Sequence, residues 1–455
     1  MNNPFSHPLE RIFAAASGSG RPTGGWALVG AWLDCISALY RRYVQAKNAA
    51  YGIGLFRQVR LPWPTISVGN LTLGGTGKTP MVMWLAGYLA ESGTSVVVLS
   101  RGYGRVDSRP SAGTSDSLAR GTAAKDDEAF GVDVTHRFAG GAARSAQELA
   151  DEIRVELEGQ KDGRAGRAMF ELRSHRGLAS GARVLRVACP ERARVASAMA
   201  PVLDRLGGKW VFLLDDGLQH RRLARDLDVV MVSFLEPLAG ARLFPAGAFR
   251  EPPSSLHRAQ VVVLTHVDTV GGGTARRQRE AVRRLAPDAA VVEGSHRISS
   301  VRVFPATRAQ NVASPGPAAP GGAPLSGRVG PEAENRDADW LKGKRMLAFC
   351  GIGKPAQFVS SLTSAGGVVV ASVPFPDHHA YESRDISAIV ARATKNEVDL
   401  LATTEKDVNR LGEYRFPFPL AVVAVDLEFT SGVEGLKAEI SRALGRPPAG
   451  APLLI

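Results

Sequence analysis

The sequence predicts an α/β protein with a three-layer α/β/α domain, a second, smaller α/β domain and an N-terminal amphipathic helix. Apolar runs rich in Val and Leu alternate with segments of helical periodicity, which is typical of a parallel sheet covered on both faces. The chain of 455 residues is long for a single hydrophobic core. A Pro-, Ala- and Gly-rich stretch at 305–336 separates two such alternating regions. Together these observations predict two domains.

The elements of the first region can be placed in order. The runs "PTISVGN" and "TSVVVLS" are predicted strands, and between them Met81, Leu85 and Leu89 recur on one helical face that ends near Gly93. Later strands of this region are predicted in "RVLRVAC", "KWVFLLDDG", "DLDVVMVSF" and "AQVVVLTHVD". After the Pro-rich stretch, further strands are predicted in "RMLAFCGIG", "GGVVVASVPFPDHH", "VDLLATTEKD" and "PLAVVAVDLEF".

The predicted organisation has four parts. Residues 131–182 are rich in Ala, Gly, Arg and Glu, show no clear strand, and are predicted to be an insertion in the first domain. The four parts are an N-terminal region at 1–60 with a helix at about 26–47, the first domain at 61–304, a linker or loop at 305–340 and the C-terminal α/β domain at 341–455.

Charge and cysteine content limit the function classes. The net charge is +12, because 56 Lys and Arg residues outnumber 44 Asp and Glu residues, and this favours an anionic partner. No stripe of alternating arginine and aromatic residues is present, so nucleic acid is not the expected partner. The three cysteines are far apart and form no C-x-x-C pair, which argues against a zinc site or a disulfide framework and for a reducing compartment.

The helix predicted at 26–47 has the composition of a membrane-interface helix. Met1–Arg11 lacks the basic start and apolar block of a signal peptide. The apolar run at 26–40 is shorter than the roughly 20 residues needed to cross a bilayer. Its Trp and Tyr residues, followed by Arg41 and Arg42, suit a helix lying on an anionic leaflet. Packing against the protein's own core is the alternative, and the sequence favours neither.

The stretch "LTLGGTGKTP" at 71–80 follows a predicted strand, precedes a predicted helix and matches most of the P-loop pattern G-x-x-x-x-G-K-[ST]. In such a loop, backbone N–H groups and the helix N-terminus face a nucleotide's phosphates. Lys78 is predicted to contact the β- and γ-phosphates and the Thr79 hydroxyl to ligate Mg²⁺. The first domain is therefore predicted to be P-loop NTPase-like, with the phosphate-binding residues Thr72, Leu73, Gly74, Gly75, Thr76, Gly77, Lys78 and Thr79.

Two departures from other P-loop proteins narrow the nucleotide. The first position of the pattern is Thr72 instead of glycine, and Leu73 stands where ParA/MinD-type ATPases carry a lysine. GTPases recognise guanine through an [NT]-K-x-D segment, and the nearest candidate, at 265–268, lacks the lysine. ATP is therefore favoured over GTP.

Charged residues follow several predicted strands, where open α/β sheets bind their ligands. Asp215 and Asp216 end the strand "VFLL" and are predicted to hold Mg²⁺ as Walker-B acids do. His220 and Arg221 either contact a substrate phosphate or cover the surface. "SRGYGR" contains Arg101 and suits an anionic substrate, although a tight turn explains it nearly as well.

Two further stretches carry possible proton acceptors. "KDDEAF" places Asp126, Asp127 and Glu128 side by side, although acidic triplets are usually solvated surface. "FPDHHAY" follows a strand of the second domain and contains His378. Its Asp-His-His sequence is compatible with a metal cluster, an oriented general base or plain loop polarity.

The ordered set of motifs resembles the tetraacyldisaccharide 4'-kinases of lipid A biosynthesis. The resemblance covers roughly 39–105, 187–304 and 341–430, and the non-Gly first position of the P-loop belongs to that family's pattern. The motifs are "PTISVGNLTLGGTGKTP", "LSRGYGR", "DDGLQHRRLARDLD", "LFPAGAFREP", "FCGIGKPAQF", "FPDHHAY" and "TTEKD". Their order along the chain is far more specific than any one of them.

The resemblance implies ATP-dependent transfer of the γ-phosphoryl group to the 4'-hydroxyl of a tetraacyldisaccharide 1-phosphate, giving lipid IV(A). It also implies two α/β/α domains, with the active site between them, and peripheral attachment to the cytoplasmic side of the inner membrane through the N-terminal helix. Its cofactors would be ATP and Mg²⁺, and its partners the acylated disaccharide and an anionic membrane surface.

The family's catalytic residues map onto two positions of this chain. The aspartate of its G-D-E-P motif falls on Asp127, although the Gly and Pro are missing here, so that Asp126 stays open as the base. The histidine that works with it falls on His378. Glu251, in "LFPAGAFREP", is a further expected Mg²⁺ ligand. The expected substrate contacts are Arg101, Tyr103, Glu128, His220 and Arg221.

Two other functions fit the sequence less well. A P-loop ATPase or GTPase acting as a switch or cofactor-delivery protein would hydrolyse nucleotide with a protein partner and form no phosphorylated lipid. A structural, membrane-peripheral protein with a vestigial P-loop would bind no nucleotide, and the presence of Lys78 and Thr79 argues against it.

Overall fold

The structure is a computed structural model, and the residues it describes fall into two compact units. The P-loop unit contains, of these residues, 25–101, 169–295 and 427–454, and the second unit contains 296–426. The described residues are 25–101, 169–173, 182, 184–189, 191–306, 333–377, 379–408, 410–411, 416–445 and 453–454.

The helices lie close to where the apolar periodicity places them. The N-terminal helix covers the predicted 26–47 and continues to Gly52, and the helix after the glycine loop begins at Lys78. The α-helices of the described residues are α1 (Gly25–Gly52), α2 (Lys78–Glu91), α3 (Arg192–Leu206), α4 (Gly272–Leu285), α5 (Pro355–Ser364), α6 (Ser383–Lys395), α7 (Glu405–Val408) and α8 (Val433–Leu444).

The strands follow the Val- and Leu-rich runs. Those of the described residues are β1 (Val59–Arg60), β2 (Thr65–Asn70), β3 (Ser95–Ser100), β4 (Met169–Arg173), β5 (Val184–Ala188), β6 (Trp210–Asp215), β7 (Leu227–Ser233), β8 (Val261–Thr265), β9 (Ala290–Phe304), β10 (Glu334–Arg336), β11 (Arg345–Cys350), β12 (Val368–Pro374), β13 (Leu400–Thr404), β14 (Leu420–Ser431) and β15 (Leu453–Leu454). The chain passes between the two units within β9 and β14.

The P-loop unit has the expected three layers. Its strands lie in the order β9-β8-β7-β2-β6-β3-β5-β4, and the pairs from β8 to β5 are parallel, with β4 antiparallel at the edge. Successive residues of a strand point to opposite faces. On β3, Val96 and Val98 pack in the cluster of α2, whereas Val97 and Leu99 pack in the cluster of α3. Helices therefore cover both faces, which is why β3 is apolar throughout.

The order of these strands determines where the site lies. Strand β2 lies between β6 and β7 and is parallel to both. The loops that follow β2 and β6 therefore leave the sheet at the same edge, where the direction of strand progression reverses. Open α/β sheets bind ligands at this edge.

The second unit repeats the layered design with parallel strands and helices of its own. Strands β12-β11-β13-β14 lie side by side and are parallel. Ile389 of α6 packs in one core cluster with Phe349, and Leu362 of α5 packs in another with Ala348. The sequence-based prediction of a second α/β domain is confirmed.

Two segments differ from the sequence-based expectation. Residues 131–182 were expected to hold no clear strand, but Met169–Arg173 is a strand antiparallel to β5. Its Met-Phe-Glu-Leu-Arg sequence is short and lies in an Ala- and Gly-rich context. Such a short pattern does not predict a single edge strand from the sequence. The expected linker at 305–340 contains structure from residue 334 onward, because β10 pairs with the end of β9 and a 3₁₀ helix begins at Ala338.

The end of the chain also departs from the expected C-terminal domain at 341–455. The last residues of β14 and the helix α8 belong to the P-loop unit. Leu436 and Ile440 of α8 share a core cluster with Val263 and Val292. Sequence spacing gave no indication of this, because it does not show which strands an amphipathic helix covers.

Candidate active site

The phosphate loop connects β2 to α2, as its sequence predicts. Gly74 and Gly77 have φ angles of 109° and 88°, a region that favours glycine because side chains with a Cβ are strained there. Gly77 is the N-cap of α2, so Lys78 and Thr79 open the helix. Backbone N–H groups and the positive end of the helix therefore lie together at the turn. This is the geometry that holds a nucleotide's phosphates.

Hydrogen bonds hold the rest of the loop in place. Asn70 Nδ2 donates to Thr76 Oγ1 over 2.9 Å, and Thr265 Oγ1 donates to the Thr76 carbonyl over 3.1 Å. The Thr72 hydroxyl donates to Glu236. The side chains of Thr72 and Thr76 are buried, whereas residues 73–75 of the loop are exposed. A threonine at the first position of the P-loop pattern thus anchors the loop through its hydroxyl, a bond that glycine lacks.

The aspartate pair after β6 lies beside this loop, as predicted. Asp216 has a φ angle of 52°, and its Oδ1 lies 3.6 Å from Lys78 Nζ. A Cβ on the following Gly217 would lie 2.5 Å from Ser67 Oγ, so glycine allows this turn to pack against β2. Asp215 is buried, and its carbonyl accepts a 2.6 Å hydrogen bond from Arg192 Nη1. The structure therefore places Asp216, of the two aspartates, next to the P-loop lysine.

Arg250 links the phosphate loop to Asp216, a role that its sequence context did not predict. Its Nη1 and Nη2 donate to the two carboxylate oxygens of Asp216 over 2.8 and 2.9 Å. Its Nε donates to the Thr72 carbonyl over 3.0 Å, and Nη2 also donates to Asn70 Oδ1. The only indication in the sequence is that Arg250 directly precedes Glu251 in "AFREP".

These neighbours keep Asp216 ionised. Burial alone would raise the pKa of this carboxyl, but the hydrogen bonds from Arg250 and the charge of Lys78 outweigh it and lower the pKa to about 2 from 3.8. Asp216 therefore carries a full negative charge at neutral pH. An ionised carboxylate at this position is the form that a divalent cation binds.

Acid titration tests this environment. The pKa of Asp216 is lower in the folded state, so the stability it contributes is present above about pH 4 and is lost as pH falls toward 2. A shift of nearly two units corresponds to about 2 kcal/mol. At about pH 5 we expect Asp216→Asn to have a lower free energy of unfolding than wild type. This gap should shrink by about 2 kcal/mol as the pH falls to about 2, because wild type then loses the stabilisation by Asp216. Urea unfolding at several pH values measures it.

A matched control for the titration is Asp204→Asn, which removes an exposed carboxylate of α3 in the same unit. Its difference from wild type is expected to stay nearly constant over the same pH range. A constant difference for Asp216→Asn as well would contradict the ionised, paired state of Asp216.

Glu251, expected as a metal ligand, is buried and tightly engaged. Its Oε2 accepts hydrogen bonds from Asn48 Nδ2 over 2.9 Å and from Arg258 Nη2 over 2.7 Å. Among the described residues, no group of three or more His, Cys, Asp and Glu side chains forms a metal cluster. A Mg²⁺ ion bound with nucleotide needs only one or two carboxylates, because phosphates and water complete its shell. The fit of Asp216 and Thr79 to such an ion does not depend on a cluster.

The expected substrate contacts are only partly described. Arg101 is exposed at the end of β3. Burial, with the charges of Arg192 and Arg225, lowers the pKa of His220 to about 3, so this side chain is neutral at physiological pH. Arg221 lies over the Tyr51 ring, 5.2 Å from its centroid, and donates to the Asn48 carbonyl. Tyr103 and Glu128 lie outside the described residues.

The two expected catalytic residues, Asp127 and His378, also lie outside the described residues. The neighbouring His379 is described: its Nε2 lies 2.8 Å from Asp385 Oδ2 and its ring stacks on Phe375 at 4.6 Å. In the same unit Asp407 is fully buried and accepts hydrogen bonds from the Gly351 amide and the Tyr381 hydroxyl.

Comparison with known proteins gives a consistent result. The chain matches the family model described as LpxK, tetraacyldisaccharide-1-P 4'-kinase, over residues 29–130 and 178–444. It is 31% identical to a tetraacyldisaccharide 4'-kinase of Anaeromyxobacter sp. (strain K), with 95% of each chain covered. It is 32% identical to the tetraacyldisaccharide 4'-kinase of Syntrophus aciditrophicus (strain SB), with 87% of this chain and 88% of that one covered.

A solved structure supports the fold. The crystal structure of the "apo" form of LpxK from Aquifex aeolicus in complex with ATP superposes with a TM-score of 0.52 and 24% identity, covering 91% of this chain and 99% of that chain. The family match spans most of the chain, and it includes the phosphate loop, Asp216 and Arg250. The chain therefore belongs to the tetraacyldisaccharide 4'-kinase family of lipid A biosynthesis.

Proposed function

We propose that this kinase transfers the γ-phosphoryl group of ATP to the 4'-hydroxyl of a tetraacyldisaccharide 1-phosphate, giving lipid IV(A). The observation that carries the proposal is the phosphate loop, with Lys78 at the N-terminus of α2 and 3.6 Å from the ionised Asp216. Family membership gives the reaction class and sets aside the alternatives of a nucleotide-driven switch and of a structural protein with a vestigial P-loop.

The described residues account for the phosphate side of the reaction. Phosphoryl transfer depends mainly on positioning and on neutralising the charge of the transferred group. The left-handed Gly74 and Gly77 allow backbone N–H groups to approach the phosphates, and Lys78 adds a positive charge at the helix end. Arg250 donates to both Asp216 and the Thr72 carbonyl, and it thereby holds the carboxylate and the loop in a fixed relative position.

Mg²⁺ fits this site through the Thr79 hydroxyl and the Asp216 carboxylate. Asp216 is ionised and lies next to the lysine proposed to contact the β- and γ-phosphates. Asp215 and Glu251 are proposed as further ligands, either direct or through water. When bound, the ion would offset negative charge on the phosphate oxygens.

For the acceptor, we assign proton transfer to Asp127 and His378. A sugar hydroxyl is a weak nucleophile and needs a positioned base near the proton it loses. Both residues fall within the segments that match the family model. Arg101, Tyr103, Glu128, His220 and Arg221 are assigned to the acylated disaccharide and its phosphate. Because His220 is neutral, its contribution would be a hydrogen bond and not a charge.

We also propose that α1 lies on an anionic membrane surface, at the cytoplasmic side of the inner membrane. The helix exposes Leu28, Trp32, Leu39 and Tyr43, and the turn after it exposes Phe56. A surface helix usually buries its apolar stripe, so exposed side chains of this size indicate a partner. Arg41 and Arg42 are exposed on the same helix and would attract anionic lipid. No helix of the described residues is both long and apolar enough to span a bilayer.

Vesicle binding tests the membrane assignment. We expect the double variant Trp32→Ser, Leu39→Ser to bind phosphatidylethanolamine–phosphatidylglycerol vesicles roughly 10²–10⁴-fold more weakly, because each side chain gains about 1.5–3 kcal/mol on burial. Co-sedimentation measures the difference. Val368→Ser is the matched control, since it removes an exposed apolar side chain from the second unit. Equal binding by the double variant and this control would contradict the assignment.

The reaction itself is tested by product mass. Purified protein is incubated with Mg-ATP and tetraacyldisaccharide 1-phosphate, and the lipid is analysed by mass spectrometry. The proposal requires a product heavier by one phosphoryl group, with the new phosphate at the 4'-position. Release of ADP without a phosphorylated lipid would refute it.

A further inference from the structure

Helix α1 contacts the rest of its unit through a face that carries several polar side chains. Ser37, Tyr40, Val44 and Asn48 recur at helical spacing, and their side chains are buried or half-buried. Ser37 Oγ donates to the Leu243 carbonyl over 2.9 Å. Leu28, Trp32 and Leu39 of α1 are instead exposed, whereas an ordinary surface helix buries its large apolar side chains. The inward face of α1 therefore combines apolar contacts such as that of Val44 with specific hydrogen bonds.

One of these bonds reaches the backbone of Arg250. The Tyr40 hydroxyl donates to the Arg250 carbonyl over 3.0 Å, and the Tyr40 ring meets Phe244 edge-on at 6.2 Å. The Arg250 amide in turn donates to the Leu71 carbonyl over 2.6 Å, and its side chain holds Asp216. Arg250 therefore connects Tyr40 to both the phosphate loop and the Asp216 carboxylate.

A second contact holds the side chain of Glu251. Asn48 Nδ2 donates to Glu251 Oε2 over 2.9 Å, while Asn48 Oδ1 accepts from Arg258 Nη1 over 3.2 Å. Arg258 Nη2 also donates to Glu251 Oε2 over 2.7 Å, so that the three side chains are all hydrogen-bonded to one another. The side chains of Arg258 and Glu251 are only 10% and 3% exposed, so the carboxylate cannot turn without breaking buried, charged hydrogen bonds.

We propose that Tyr40 and Asn48 are positioning residues of the nucleotide site, acting through Arg250 and Glu251. Helix α1 is then a structural part of the phosphate site and not a detachable anchor. Lipid bound at the outer face of α1 would then influence the phosphate loop through two hydrogen bonds, from Tyr40 to Arg250 and from Asn48 to Glu251. This inference rests on the proposed nucleotide site.

The matched control is already present on the helix. Ser37 makes a buried side-chain hydrogen bond from the same inward face, but its acceptor is the Leu243 carbonyl and not a residue of the phosphate site. If α1 only needed to be docked, Ser37→Ala, Tyr40→Phe and Asn48→Ala would change the kinetics alike. If Tyr40 and Asn48 position Arg250 and Glu251, only the latter two variants would.

The experiment measures steady-state kinetics of the four proteins, wild type included, with Mg-ATP and detergent-dispersed disaccharide 1-phosphate, together with thermal unfolding. We expect kcat/KM for ATP to fall roughly threefold to tenfold in Tyr40→Phe, which removes a neutral hydrogen bond, and tenfold or more in Asn48→Ala, which removes one to a charged group. We expect the KM of the acceptor to stay unchanged in both variants, and Ser37→Ala to match wild type kinetically.

Two results would overturn the inference. One is wild-type kcat/KM for ATP in both Tyr40→Phe and Asn48→Ala. The other is an equal loss in Ser37→Ala, which would mean that docking of the helix alone matters. Tyr40→Phe retains the ring and its edge-on contact with Phe244, so this variant remains informative if Asn48→Ala unfolds. An inactive wild type would refute the proposed function instead, which separates the two failures.

Discussion

Replacing Lys78 by alanine is expected to lower kcat roughly 10²–10³-fold or more, because the variant lacks the positive charge that meets the transferred phosphoryl group. The fold should survive: Asp216 keeps both hydrogen bonds from Arg250, at 2.8 and 2.9 Å, and the 3.6 Å contact to Lys78 is the weaker one. We therefore expect thermal unfolding to change little. Turnover with Mg-ATP and the disaccharide, ATP binding by calorimetry and thermal unfolding measure the three quantities.

The control is Lys342→Ala, which removes an exposed lysine whose ion pair with Asp339 is also exposed. Such pairs contribute between about 0 and 1 kcal/mol, and this one belongs to the second unit and not to the unit that contains the phosphate loop. It is expected to behave as wild type. Unaltered kinetics in Lys78→Ala would show that the loop does not act on the transferred phosphate.

Replacing Asp127 by alanine is expected to lower turnover roughly 10²–10⁴-fold, the usual contribution of a positioned general base. ATP binding should remain nearly intact, because the phosphate loop, Asp216 and Arg250 form their contacts without Asp127. Single-turnover kinetics and calorimetry separate the two effects. This combination distinguishes loss of the base from loss of the nucleotide site, which Lys78→Ala would affect.

Asp126→Ala is the companion variant, because the chain reads Asp126-Asp127-Glu128-Ala129 where the family has G-D-E-P. We expect it to retain most activity. Full activity in Asp127→Ala would refute the assignment, and loss of activity only in Asp126→Ala would move the base by one position.

The two adjacent histidines can be separated in the same way. His379 is held by Asp385 at 2.8 Å and stacked on Phe375, so His379→Ala is expected to reduce stability more than chemistry. His378→Ala is expected to reduce turnover with little change in stability. The opposite pattern would exchange their roles.

Much of the fold could be predicted because its signals are local. Apolar runs long enough for a strand predicted β2, β3, β6, β7 and β8, and the 3.6-residue spacing of Met81, Leu85 and Leu89 predicted the buried face of α2. Strand β4 was missed because five alternating residues at a sheet edge give a weak signal. The residues of α8 were expected in the C-terminal domain but belong to the P-loop unit, because periodicity shows that a face is buried but not what covers it.

The site divides in the same way. The sequence by itself determined the phosphate loop, because glycines at the left-handed positions and a lysine at the helix start lie within the eight residues from Thr72 to Thr79. Only the tertiary structure decided which aspartate faces Lys78, that Arg250 joins Asp216 to Asn70, and that α1 turns its polar face to Arg250 and Glu251. The partners of Arg250 lie 34 and 180 residues away in the chain. Contacts over such separations depend on strand order and helix packing, which no local pattern encodes.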